Sequence, residues 1–149
     1  MTSSWEQFEE FVRAEMHKVY SETAIDHAMN PRNVGAMENA DGFAEVTGPC
    51  GDTMEIWLGV KDDTITSATF MTDGCGNTIA AGSMITEMAR DKKIAQAQRI
   101  SGPDVLKALG GLPEENEHCA LLAASTLRAA IRDYLALKKE PWKRSYRKR

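Results

Sequence analysis

The sequence predicts an α+β domain, with a small antiparallel three-stranded sheet and helices packed on one of its faces. Three observations lead there. Helix-period segments open the chain, two period-two runs flank a polar turn in its middle, and helix-period segments return from Asn77 onward. Strands and helices grouped in separate stretches are the mark of the α+β class.

The elements follow in order. Ser3 with Glu6 three residues later is a capping box, and Trp5, Phe8, Val12 and Met16 recur at helical spacing, which predicts an amphipathic helical arm from Ser3 to about Lys18. A second short helix runs from Ser21 to Met29 and ends at Asn30-Pro31, because the residue before a proline is pushed out of the helical region. Phe43 to Thr47 is a short strand. Asp52 to Lys61 alternates, with Met54, Ile56, Leu58 and Val60 on one buried face, and Thr64 to Thr72 is rich in β-branched residues. With Asp62-Asp63 between them, these two runs form an antiparallel hairpin.

Past Asp73-Gly74 the period lengthens again. Asn77 to Arg90 is helical, with Met84, Ile85 and Met88 on one side, and Asp91-Lys92-Lys93 interrupts it. Ser101-Gly102-Pro103-Asp104 starts a short helix that Gly110-Gly111 stops. The last helix spans His118 to Leu137, where Ala120, Ala124, Leu127, Ile131 and Leu135 keep a three-or-four spacing. Met71, Met84 and Met88 fall at core periodicity and are read as space-filling residues.

A chain of 149 residues with 42% hydrophobic content has material for one core and not for two ordinary domains. The expected division is an arm (1–19), one domain (20–137) and a basic tail (138–149). The tail holds Lys138, Lys139, Lys143, Arg144, Arg147, Lys148 and Arg149 against Glu140 alone, so a net charge of -4 conceals a strongly acidic body. No nucleic-acid fold signature accompanies the tail, and no nucleic-acid partner is expected; the tail reads as solvated. No apolar run approaches the roughly 18 residues that cross a bilayer, and Glu6, Glu9, Glu10 and Glu15 argue against a transit peptide. A reducing cytoplasm fits three widely separated cysteines better than a secreted disulfide framework does.

Those cysteines carry the chemistry. Cys50 sits in Gly48-Pro49-Cys50-Gly51-Asp52, a turn leading into the hairpin; if the strand begins at once, Cys50 and Asp52 point to the same side and share one metal centre. Cys75 lies in Asp73-Gly74-Cys75-Gly76-Asn77, before a helix, and Cys119 lies beside His118 at the start of the last helix. Helix N-termini favour thiolates, so a lowered pKa is expected at both. Three thiolates with a carboxylate or imidazole satisfy tetrahedral zinc as readily as an iron-sulfur cluster. Separations of 25 and 44 residues are unlike the compact ferredoxin pattern, which argues against a tightly held electron-transfer cluster. His17 and His27 are read as surface or packing residues.

At these positions the sequence resembles the NifU/IscU-type iron-sulfur cluster assembly scaffolds. Tyr20-Ser21-Glu22, Asp26-His27 and Asn30-Pro31-Arg32-Asn33-Val34-Gly35 look like the family's N-terminal signature. Gly48-Pro49-Cys50-Gly51-Asp52, Gly74-Cys75-Gly76 followed by Thr78-Ile79-Ala80, and His118-Cys119 followed by Leu122-Ala123 are similar to its three ligand loops. The resemblance implies a NifU/IscU-like scaffold fold and a carrier, not a turnover enzyme. Such a carrier builds a transient [2Fe-2S] cluster from iron and the sulfur of a cysteine desulfurase, with electrons from a donor such as ferredoxin, and delivers it to apoproteins. It implies Cys50, Cys75 and Cys119 as ligands or persulfide carriers, Asp52 as the ligand that keeps the cluster exchangeable, and His118 as an alternative fourth ligand. Tyr20 matches a tyrosine linked to scaffold pairing, so a monomer or transient homodimer is expected. Zinc in the isolated protein is a further expectation. The alternative is a zinc-dependent sulfur acceptor, or sulfurtransferase, in which Cys50, Asp52, Cys75 and Cys119 hold the zinc.

Two departures stand out. Leu112-Pro113-Glu114-Glu115-Asn116 is acidic where chaperone-dependent members carry Leu-Pro-Pro-Val-Lys, so dependence on the dedicated Hsp70-type chaperone is not expected. The family core also leaves the acidic arm and the basic tail unexplained.

Overall fold

A computed structural model describes residues 3–146, and the side chains of 144–146 are outside the description. Of the basic tail, Arg147, Lys148 and Arg149 lie beyond the described residues. The order is α1 (Ser4–His17), α2 (Glu22–Met29), β1 (Gly42–Thr47), β2 (Thr53–Lys61), β3 (Thr64–Thr72), α3 (Gly76–Ala89), α4 (Ile94–Ala97), α5 (Gly102–Leu109) and α6 (His118–Lys139), with 3-10 turns at Glu114–Asn116 and Pro141–Tyr146.

The sheet is antiparallel in the order β1-β2-β3. Met54, Ile56 and Leu58 present one fully buried face, opposite Thr72, Phe70 and Ala68 of β3. Burying each such side chain contributes about 1.5–3 kcal/mol. Asp62 and Asp63 take the left-handed conformation that a tight hairpin turn requires (φ 54 and 56). A bulge between Gly59 and Val60 resets the register, and Met71 pairs with Glu55 on the outer face. Met71 is therefore 45% exposed and does not fill the core, contrary to its reading by periodicity. The outer face is not bare: Trp57 is buried there against Phe43, ring centroids 5.2 Å apart.

α3 lies at the centre of the helical layer, packed by α2, β3, α5 and α6. It is apolar or small nearly all round, from Thr78 through Ala80, Ala81, Gly82 and Ser83 to Ile85 and Thr86. α3 and β3 pack tightly at Gly82, where a Cβ would come within 2.4 Å of the Phe70 ring. α6 buries Cys119, Ala120, Ala124, Leu127 and Ile131 on the face its spacing predicts, and runs to Lys139, two residues past the expected end. Lys138 there reaches Asp63 of the hairpin turn at 2.9 Å, and Tyr134 donates to the same carboxylate at 2.7 Å.

The caps behave as the sequence predicts. Ser3 and Glu6 form the reciprocal box of α1, Ser21 caps α2, Ser101 caps α5, and Gly110 ends α5 in the left-handed conformation at φ 78. α4 was not expected: Lys92 and Ile94 hydrogen-bond to the hairpin through Ile65 and Asp63, and this fixes one extra turn after the charged break. α1 buries no residue, leaving Trp5, Phe8 and Phe11 exposed.

Candidate metal centre

Three connections meet at one end of the sheet. The first, between β1 and β2, carries Cys50 and Asp52 and is closed by Gly51 N–H to Gly48 C=O at 3.0 Å and Gly48 N–H to Asp52 C=O at 2.8 Å. Gly51 sits at φ 89, which favours glycine. β2 starts at Thr53, so strand alternation does not extend back to Cys50, and the shared orientation of Cys50 and Asp52 conditional on it does not follow. Cys50 is exposed, while Asp52 turns to the interior and accepts a hydrogen bond from the Thr78 hydroxyl at 2.8 Å.

The second connection is laced to the first. Thr53 N–H donates to Asp73 Oδ1 at 2.8 Å, Thr72 Oγ1 donates to the Thr53 carbonyl at 2.6 Å, and Gly74 N–H donates to Thr72 Oγ1 at 3.1 Å. Cys75 then stands as the N-cap of α3. Burial is the largest single influence on its thiol and pushes the pKa up. The N–H groups of Thr78 and Asn77, the Asn77 amide and the Thr78 hydroxyl outweigh it, so Cys75 is held below the ordinary thiol value, in the direction expected for a helix N-terminus.

Cys119 departs from expectation. It is the second residue of α6, 1% exposed, with Sγ 3.4 Å from Thr78 Oγ1 and 3.7 Å from His118 Nε2. Burial pushes its pKa up, and although the Thr78 hydroxyl opposes this, Cys75, Cys50 and Asp52 add to the rise. The helix start does not favour a thiolate here, because the side chain enters the core and faces acidic groups.

Cys75, Asp52 and Cys119 thus surround the Thr78 hydroxyl, with Cys75 Sγ 4.0 Å from it. Cys50 is near enough to act on Cys119 electrostatically. Among the described residues no three His, Cys, Asp or Glu side chains form a closed metal-holding group. The donor chemistry suits a soft metal with one hard, displaceable ligand: three sulfurs, a carboxylate and a neighbouring imidazole. Gly74 leaves the room this needs, since a Cβ there would come within 2.6 Å of Thr78 and 2.8 Å of Asp52 Oδ2. Leu122 of α6 packs beside Gly48 and closes the third side.

Tyr20 stands apart from the thiols. With Met16, Ala24, Ala28, Asn77 and Leu112 it lines a cavity of about 170 Å³ that adjoins the Cys75 loop through Gly76. His17 is exposed, and His27 is buried against Ser83, in keeping with surface and packing roles. Thr78 is quoted within the second ligand-loop motif, but motif reading gives it no role of its own. Its position three residues after a helix-capping residue, where a side chain reaches back to the cap, was the available signal.

Residues 19–141 match the NifU-like N terminal domain. The chain belongs to that family. Its relatives include iron-sulfur cluster assembly scaffold protein IscU 1 of Archaeoglobus fulgidus, 50% identical over 117 residues that cover 78% of this chain and 76% of the relative. The IscU scaffold protein of Escherichia coli is 43% identical over 120 residues, covering 77% of this chain and 93% of the other. Among solved structures, the N-terminal part of a nitrogen-fixing NifU-like protein from Brucella abortus superposes with a TM-score of 0.64 at 19% identity, covering 81% of this chain and 97% of that one, a likeness of fold. The match begins one residue before Tyr20, and α1 lies outside it. Among the described residues no helix is long and apolar enough to cross a membrane.

Proposed function

We propose that this NifU-like protein is a scaffold on which a labile [2Fe-2S] cluster is assembled and from which it passes to apoproteins. The observation that carries this reading is the meeting of Asp52, Cys75 and Cys119, from three separate connections, around one buried hydroxyl. The IscU scaffold relatives support it at the level of family.

The cluster is cargo. Exposed Cys75, with its lowered pKa, is the fitting thiolate to take sulfur first: it attacks the outer sulfur of a desulfurase persulfide, forming a new S–S bond as the desulfurase cysteine leaves as thiolate. Each sulfur so delivered needs two electrons to become sulfide, and a one-electron donor of the ferredoxin class supplies them in two steps. Cys50, Cys75 and Cys119 hold the iron through sulfur, and Asp52, or His118 in its place, takes the fourth position. An oxygen ligand there is the most easily displaced, which opens the cluster to the thiol of an incoming client.

Anaerobic reconstitution with ferrous iron, cysteine, a cysteine desulfurase and a ferredoxin-class reductant, followed by mixing with an apo-ferredoxin, tests this. Visible absorption that appears on this protein and then moves to the ferredoxin is the expected result. A protein that accepts sulfur covalently and holds zinc, but never forms a transferable chromophore, overturns it in favour of a sulfurtransferase.

A further inference from the structure

Thr78 is fully buried, and its side chain touches three of the four groups of the candidate centre. A hydroxyl has one proton and two lone pairs. Asp52 as a carboxylate only accepts, so the Thr78 proton goes to Asp52 Oδ2 at 2.8 Å, and the remaining oxygen surface faces Cys119 Sγ at 3.4 Å. The contact joins the β1–β2 connection to α3 and α6. As the third residue of α3 Thr78 is on the rigid part of the site, and a β-branched side chain in a helix has little χ1 freedom. Asp52, by contrast, belongs to a turn that contains Gly51 at φ 89.

We infer that Thr78 is a positioning residue: its hydroxyl ties one carboxylate oxygen of Asp52, leaving Oδ1 as the single oxygen available to a metal, and keeps Cys119 Sγ beside it. The inference rests on the metal-centre reading above and assigns a role within it. A free carboxylate on a turn samples many orientations, and that freedom is lost when it binds a metal. One anchored from behind offers a single oxygen in a fixed direction, which suits a ligand that must later be displaced. Hydrogen bonds that orient ligating groups from behind are worth 10- to 100-fold in metal affinity.

Cobalt(II) binding by the metal-free protein, read by thiolate-to-cobalt charge-transfer absorption in competition with a chelator, tests this without cluster transfer. Thr78→Val keeps the shape and removes the hydroxyl, so it is expected to weaken cobalt binding by about 10- to 100-fold. Thr78→Ser restores the hydroxyl and is expected to recover most of that loss. Both variants should keep the wild-type circular dichroism and a cooperative melt. If Thr78→Val misfolds, Thr78→Ala in its place removes the same donor with less bulk. Unchanged affinity without the hydroxyl, or a serine variant as weak as the valine or alanine one, overturns the positioning role. Failure of the wild type to give any thiolate–cobalt band overturns the metal centre itself, and the role of Thr78 with it.

Discussion

Thr78 and Asp52, 26 residues apart, are joined by a 2.8 Å hydrogen bond that fixes the single carboxylate of the candidate centre. A hard oxygen ligand beside soft thiolates is the weak point of such a centre, and weakness is what a carrier requires. On the scaffold reading, Asp52→Ala should leave the cluster bound longer and slow its transfer to apo-ferredoxin by about tenfold, the scale on which supporting groups act at metal sites. Parallel records of cluster lifetime and transfer rate in Asp52→Ala and Asp52→Asn check it. Unchanged transfer in both variants would mean that Asp52 only completes its turn.

The thiols should separate by reactivity in the metal-free protein. Cys75 is exposed with a lowered pKa and Cys119 is buried with a raised one, so at neutral pH the thiolate fraction is larger at Cys75. Iodoacetamide, followed residue by residue by mass spectrometry, should modify Cys75 well before Cys119. As the pH rises the Cys75 rate should level off first, because its titration is complete at lower pH. Equal rates for the two would contradict the electrostatics of the site. Serine at any of Cys50, Cys75 or Cys119 should abolish net cluster transfer, and only the Cys119 variant should also lose stability.

Much of this arrangement is legible in the sequence because it depends on local rules. The capping box at Ser3 and Glu6, the stop at Gly110 and the alternation of Met54, Ile56 and Leu58 are each set by neighbours within a few residues. What escapes is set across the chain. Met71 turns outward because its own strand carries an extra residue, Thr66, opposite Gly59 and Val60, and α4 forms because residues 92 and 94 bond back to the hairpin. The elevated pKa of Cys119 has the same character. Its helix position favours a thiolate, but burial and the acidic groups of two other loops prevail. Thr78 acquires its place only when Asp52 arrives beside it.

Gly82 offers a test of the core. Alanine there gains about 1 kcal/mol of helix propensity, but its Cβ would lie 2.4 Å from the Phe70 ring, and overpacking costs about 1–3 kcal/mol. The second effect should win. Gly82→Ala is expected to lower the urea midpoint, and Phe70→Leu added to it should cost less than Phe70→Leu alone, since the smaller side chain makes room for the new methyl. Additive losses in the double variant would show that helix and strand do not compete for that space.

The pH response of stability should depend on His27. Its Nδ1 lies 2.7 Å from Ser83 Oγ, which also accepts the Arg32 N–H at 2.9 Å. Burial lowers the His27 pKa from 6.5, with help from Arg32, while Asp26 and Glu87 oppose it. Asp26 is itself engaged by Arg32 at 2.6 Å. A base whose folded pKa is depressed contributes full stability above its unfolded value and loses it as the pH falls, because the unfolded chain takes up the proton first. The stability of the metal-free protein should therefore decline as the pH drops below about 6.5, before carboxylates of ordinary pKa begin to titrate. His27→Asn keeps a hydrogen-bonding partner for Ser83 and removes the titration. Urea unfolding at a series of pH values from 7.5 to 5 should show that decline in the wild type and a much flatter profile in the variant. The same slope in both would move the cause to other groups.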